Sequence, residues 1–197
     1  MTGCDTSTPA PTGDALYADA ERTYFEYREV VNGVQSVLST GPWVVGQLGE
    51  YGMQPQRCEG DAGYQFSLGR LLRLEAADRE RHADAIEEYL TDIGMSPERR
   101  ALGSGDRVLI QIEARDEKGL EQLLVEFDPN GTAVVSATTA CRPGDARELG
   151  DLLFGDTYLG EGYLPIDVEA PTDPLFFGIT PGEPQFVRET PNPTPAP

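Results

Sequence analysis

Three cysteines, a single histidine and 34 carboxylates are the side chains of this 197-residue sequence with chemistry to offer. The cysteines stand at Cys4, Cys58 and Cys141, and the histidine is His82. Thiols form disulfides, ligate metals or carry acyl groups. No C-x-x-C and no paired Cys/His spacing occurs, so the thiols predict no zinc site. His82 lies in the charged run DRERHADAIEEYL, a solvated helix face and a poor place for a buried Ser-His-Asp triad. The sequence has no G-x-S-x-G elbow, no Walker loop, no G-x-G-x-x-G and no EF-hand spacing. GSGD at 103–106 is a short glycine turn ahead of a strand rather than a phosphate cradle. Carboxylates are too abundant for any pair to stand out. No catalytic, metal-binding or cofactor-binding residue is therefore assigned.

The odd cysteine count needs an explanation in an exported protein. One division pairs Cys58 with Cys141, at the ends of two strand-like stretches, and leaves Cys4 apart. The other reading is two buried free thiols. Thr2-Gly3-Cys4 resembles the end of a bacterial lipobox, with Met1 at the leucine position. That resemblance implies cleavage before Cys4 and a diacylglycerol on its sulfur. DTSTPAPTGD follows, a polar, proline-bearing tether of the kind that holds a domain off a surface. Together with the helix ending before GPWVV and the Cys58/Cys141 pair around a helix and a strand meander, these features resemble small secreted actinobacterial lipoproteins of the LppA-like type. The resemblance implies an extracytoplasmic location on the outer face of the cell membrane, and no particular reaction.

Charge and composition narrow the partners. The formal net charge is −19, with Lys118 the only lysine among fifteen basic residues. No basic cluster exists to neutralise phosphates, so nucleic acid is not an expected partner. No stretch approaches the ~18 apolar residues of a membrane helix. Hydrophobic residues make up 39%, which fits a packed domain with polar ends. The expected partners are the membrane, through lipid on Cys4, and an envelope protein or small-molecule ligand; the protein is expected to be a monomer without cofactor. Two alternatives remain: a soluble acidic interaction domain of the cytoplasm with free thiols, and a secreted hydrolase using carboxylates alone.

The elements that position these residues follow from periodicity. Residues 14–39 read as a helix capped by Asp14, with Leu16, Ala20, Tyr24, Tyr27, Val31, Val34 and Leu38 on one face. Gly41-Pro42 stops it. WVVGQLGEYGMQPQRC reads as irregular, with Trp43 sealing the helix against a sheet. YQFSLGRLLRL reads as a strand with a phase shift after Gly69, where a bulge is expected. Residues 78–93 read as a second helix, capped by Asp78, with Ala83, Ile86, Leu90 and Ile93 inward and Gly94 at its end. RVLIQIEAR, LEQLLVEF and TAVVSATTA read as an antiparallel meander. Its links DEKG and DPNG each suit a type I turn closed by a left-handed glycine. The NGT sequon at 130–132 is accounted for by that turn. The inner face takes Val108, Ile110, Ile112, Leu123, Val125 and Phe127; Leu109, Gln111, Glu113, Arg115, Gln122, Leu124 and Glu126 form a mixed outer face.

After Arg142 the texture changes: residues 142–197 hold ten of the sixteen prolines, ten acidic and three basic residues. The division is a lipid-anchor tether over 1–13, an α+β domain over 14–142, an irregular acidic arm packing on it over 143–188, and a disordered Pro-rich tail over 189–197. The expected fold is a two-layer α+β sandwich, two helices on one face of a four- to five-stranded antiparallel sheet.

Overall fold

The structure, a computed structural model, describes residues 9–45, 51–60, 63–156, 162–164 and 167–185. It is an α+β fold. Helix α1 (Gly13–Leu38) leads into β1 (Trp43–Val45), β2 (Gln56–Arg57), β3 (Gly63–Gln65) and β4 (Ser67–Arg73). Helix α2 (Arg79–Asp92), β5 (Glu98–Leu102), β6 (Leu109–Glu117), β7 (Leu120–Phe127) and β8 (Thr132–Thr139) follow. The chain then forms β9 (Arg142–Pro143), α3 (Ala146–Phe154) and β10 (Val168–Glu169).

Seven strands form one antiparallel sheet in the order β10-β1-β4-β8-β7-β6-β5, and β2-β3-β9 form a second, smaller one. The sheet is larger than the sequence analysis expects. It gains β1 from the segment read as irregular, β5 from the charged stretch ERRAL, and β10 from the C-terminal arm. The arm also supplies a third helix, α3, whose start is capped by the Asp145 carboxylate accepting from the amides of Arg147 and Glu148 at 2.9 and 2.8 Å.

The core lies between α1, α2 and the inner face of the large sheet. Alternation puts Ile110, Ile112 and Ala114 of β6 beside Leu123, Val125 and Phe127 of β7, and those beside Ala133, Val135 and Ala137 of β8, all buried. Val108, expected on this face, precedes β6 and is half-buried. Leu16, Ala20, Tyr24, Tyr27, Val31 and Val34 bring the apolar face of α1 down onto the sheet, and Ala83, Ile86 and Leu90 do the same for α2. Leu38 and Ile93, at the helix ends, are only half-buried.

Local chemistry corrects several expectations. The N-cap position of α1 is Thr12, and Asp14 sits within the first turn. The start of α1 is closed from outside, the Gly13 amide donating to Glu148 Oε1 of α3 at 2.7 Å. Asp78 holds the N-cap position of α2 without a side-chain bond to the backbone and pairs instead with Arg81 at 3.1 Å. The β6–β7 link is tighter than expected. Glu117 pairs with Leu120, leaving Lys118 and Gly119, both at positive φ, as a two-residue turn. DPNG behaves as expected: the Gly131 amide donates to Asp128 O at 3.0 Å with Gly131 at φ +89°. GSGD follows β5 as well as preceding β6, as the link of a hairpin. Gly69 is not a bulge, since β4 pairs with β8 without interruption from Ser67 to Arg73.

The small sheet carries the covalent tie. Cys58 follows β2, Cys141 precedes β9, and their sulfurs are bonded with Cα atoms 5.9 Å apart. Gly63 of β3 packs against this bond. A Cβ there would lie 2.6 Å from Cys141 Sγ and 2.7 Å from the Arg142 carbonyl oxygen, so no side chain fits. The bond closes a separation of 83 residues, and on the chain-entropy account such a crosslink contributes about 4–5 kcal/mol. Reduction, or the C58A/C141A pair, is expected to lower the urea midpoint with a loss of about 2–5 kcal/mol, measured by fluorescence of Trp43. Unchanged stability after verified reduction would refute this tie.

Candidate functional site

Three places on the molecule bring polar chemistry together, and the first two are anchored on α1. The first is the end where the chain enters the fold. Asp19 of α1 accepts from Arg142 Nη2 at 2.7 Å and from the Tyr64 hydroxyl at 2.8 Å, and also pairs with Arg22. Partial burial would raise the Asp19 carboxyl, but the Arg142 and Tyr64 hydrogen bonds outweigh it and hold it below its usual range. These contacts bind α1 to the small sheet beside the disulfide. A cavity of about 440 Å³ opens here, lined by Pro11, Thr12, Arg57, Gly144, Asp145 and Glu148. Cys4 lies outside the described residues.

The second is buried. Glu169 of β10 points into the core between Arg28 of α1 and Arg70 of β4. Its Oε1 accepts from Arg28 Nη2 at 2.7 Å, and its Oε2 accepts from Arg70 Nε at 2.9 Å and also from Arg70 Nη2. The side chains of Arg28 and Arg70 are 1% and 0% exposed and that of Glu169 7%. Burial alone would push the Glu169 carboxyl up; the two guanidiniums prevail and hold it below the ordinary glutamate value. Tyrosines surround the group. The Tyr24 hydroxyl accepts from Arg28 Nη1 at 3.3 Å, the Arg28 guanidinium lies 5.7 Å from the Tyr24 ring centre, and Tyr27 donates to the Gly52 carbonyl. Burial pushes both phenols up, so they stay neutral. The cluster thus ties α1 to two strands of the large sheet, β4 and β10.

The third is the outer face of the large sheet. Val168, Val44 and Leu71 are direct cross-strand neighbours on β10, β1 and β4, and all three remain exposed. Val134 continues the row on β8, half-buried. Across β7, β6 and β5 the face turns polar. Glu113, expected to be partly exposed, is buried under its neighbours: Gln122 donates to it, and Arg115 and Arg100 pair with it. The Gln122 hydrogen bond lowers the Glu113 carboxyl, with the two arginines acting in the same direction. On the opposite side of the molecule a groove of about 380 Å³ runs between α1 and α2, lined by Glu26, Glu29, Val30, Tyr89, Ile93 and Lys118.

Of the residues singled out by sequence, Cys58 and Cys141 are brought together, and His82 sits half-buried on α2 with Arg81 3.5 Å away. Partial burial and that guanidinium lower the imidazole. Asp19, Glu113, Asp145 and Glu169 are all shifted down, each held ionised by arginines or amides. Such groups are acceptors, not general acids. Among the described residues no group of three or more His, Cys, Asp or Glu side chains is placed to hold a metal ion, and no helix is long and apolar enough to cross a membrane. The Arg28–Glu169–Arg70 cluster carries two signals in the sequence. Arg28 falls on the apolar stripe of α1, and Arg70 keeps the inward phase of Tyr64, Phe66 and Leu68. What looked like a phase shift after Gly69 is a strand in phase with an arginine buried in it.

No protein-family model matches the chain, and no curated protein matches it. Among solved structures it is similar to the crystal structure of the putative lipoprotein LppA from Mycobacterium tuberculosis, with a TM-score of 0.40 and 14% identity over 67% of this chain and 79% of that one. A likeness of that size assigns neither a family nor an activity.

The ionic cluster sets a pH dependence. A carboxyl whose folded pKa is depressed contributes stability that is present above its unfolded value, about 4.3 for glutamate, and is lost as pH falls through the folded value. Glu169 and Asp19 act in the same direction. The urea midpoint is therefore expected to hold from neutral pH down to about pH 5 and to drop below about pH 4. In E169Q this acid limb becomes shallower, and at pH 7 the variant loses about 3–5 kcal/mol because two buried guanidiniums lose their counter-charge. An acid limb as steep in E169Q as in the wild type would assign the dependence elsewhere.

Proposed function

We propose that the protein is a lipid-anchored lipoprotein of the cell envelope. In this reading Cys4 carries diacylglycerol, and residues 5–12 tether a non-catalytic binding or accessory domain to the outer face of the membrane. The observation that carries the reading is the Cys58–Cys141 disulfide. Stable structural disulfides belong to oxidising compartments outside the cytosol. With two of three cysteines bonded to each other, the third is the odd one, and it stands behind a lipobox-like Thr2-Gly3 and ahead of a polar tether. The same bond argues against the cytoplasmic alternative, which requires free thiols.

Geometry suits such an anchor. Eight residues separate Cys4 from the start of α1 at Gly13, and a chain of that length reaches at most about 28 Å. That length leaves the domain free to turn at the membrane while a net charge of −19 keeps it off anionic headgroups. Mature lipoproteins hold two or three acyl chains, which is enough for stable anchoring. The outer sheet face, with its exposed Val44, Leu71 and Val168 beside the charged Glu113 cluster, is the surface best suited to a partner.

The native gene expressed in an actinobacterial host tests this directly. Intact-mass spectrometry is expected to find a chain beginning at Cys4 with a diacylglycerol thioether, and C4A is expected to appear in the medium or unprocessed. Alkylation of the denatured, unreduced protein is expected to label neither Cys58 nor Cys141. An unacylated chain that keeps Met1, or two titratable thiols, would overturn the reading.

A further inference from the structure

Each of the two buried arginines is held in place by groups other than Glu169. Arg28 donates through Nη1 to the Tyr24 hydroxyl and through Nη2 to Asn32 Oδ1, both at 3.3 Å, and its guanidinium stands over the Tyr24 ring. These partners are all on α1. Arg70 donates through Nη1 to the Gly69 carbonyl at 2.8 Å and through Nη2 to the Tyr51 carbonyl at 3.4 Å. The rigid forks are thus held by partners other than Glu169, and they meet a planar carboxylate from two sides. The Arg28 Nε–H, fully buried, has no hydrogen-bond partner among the described residues. The Arg28 guanidinium therefore keeps one donor that Glu169 does not take up. Gly52, at φ +90°, closes over it, and a Cβ there would lie 3.2 Å from Arg28 Nη1 and 2.7 Å from the Tyr27 hydroxyl.

Glu169 reaches this site from a strand of two residues at the edge of the sheet. Its own register partner is Trp43, the only tryptophan, which is fully buried. We propose that Arg28 and Arg70 form a preorganised carboxylate receptor, and that the chain fills it in cis with Glu169, so that β10 is a tethered ligand. The class of ligand the receptor takes is a carboxylate presented on an extended segment lying along β1. With the Glu169 carboxylate removed, the receptor accepts a small free carboxylate in its place. This is independent of the lipid anchor, and the anchor's failure would leave it standing.

The full-length E169A chain tests the proposal with acetate as the probe. Removing the side chain back to Cβ leaves space for a small carboxylate beside the two guanidiniums. The melting temperature of E169A is expected to rise with sodium acetate, by about 3–6 °C when acetate stands at about ten times its dissociation constant and by a further constant step for each tenfold beyond that. Trp43 fluorescence is expected to return toward the wild-type spectrum over the same range. Sodium chloride at equal ionic strength is expected to give neither effect, and the wild type and E169Q, whose side chains occupy the site, are expected to ignore acetate. Should E169A fail to fold alone, the yield of soluble protein on refolding in acetate against chloride is the readout, with acetate expected to raise it. Equal responses to acetate and chloride, equal responses of E169A and E169Q, or no response of E169A to acetate by either readout would overturn the proposal.

Discussion

A carboxylate buried among aromatic rings survives as an anion only if positive charge is brought to it, and at Glu169 two guanidiniums are. That requirement links three parts of the chain far apart in sequence: Arg28 on α1, Arg70 on β4 and Glu169 on β10. Taking these ions out of water is costly, and their mutual attraction offsets that cost only when the geometry is well met. The fold meets it by building the surroundings as a shell. Trp43 sits opposite Glu169, its indole N–H donating to the Ser39 carbonyl at 3.2 Å. The Val45 amide donates to the Asp167 carbonyl at 3.1 Å. With Glu169 seated, the acidic C-terminal segment follows across the molecule. Phe177 packs against Tyr17, Tyr24 and Phe66, the Tyr17 hydroxyl donates to the Phe177 carbonyl, and the Ile179 amide donates to the Leu153 carbonyl.

Helix α1 is the member most of the long-range ties share. At its first turns it is closed by Glu148 and bound through Asp19 to Arg142 and Tyr64, next to the disulfide. In its middle it holds Arg28. Toward its end Gly33 lets the Tyr89 ring of α2 lie so close that a Cβ would fall 1.8 Å from the Tyr89 hydroxyl. At the far edge of the sheet, Arg99 of β5 performs a looser version of the same task, pairing with Glu80, Asp84 and Glu87 on α2. That pairing is partly exposed and correspondingly weaker. The difference in burial separates a tie that orders the chain from one that trims an edge strand.

The strong periodic segments declared themselves in sequence. The alternation of RVLIQIEAR, LEQLLVEF and TAVVSATTA and the three-four spacing along α1 and α2 report one buried face each, and nothing elsewhere competes with that signal. The short or charged elements did not. β1 has three residues, β10 two, and each becomes a strand only because a neighbour supplies hydrogen-bond partners. ERRAL in β5 carries charges on both faces, as an exposed edge strand should, and so shows no apolar phase. The Lys118-Gly119 turn was masked by Asp116, whose positive φ sits among residues that read as a longer loop. The buried cluster was hidden for a related reason. Arginines on an apolar stripe look like interruptions when the carboxylate that justifies them arrives 141 residues after Arg28 and 99 after Arg70, in a segment that reads as an irregular arm.

The account stands on Glu169 being an anion inside the protein. The most direct measurement is the titration of its side-chain carboxyl carbon by NMR in the intact, selectively labelled chain. The account predicts a midpoint below the ordinary glutamate value of about 4.3. A midpoint at or above that value would show that burial, not the two arginines, sets the state of this group, and would contradict the account at its base.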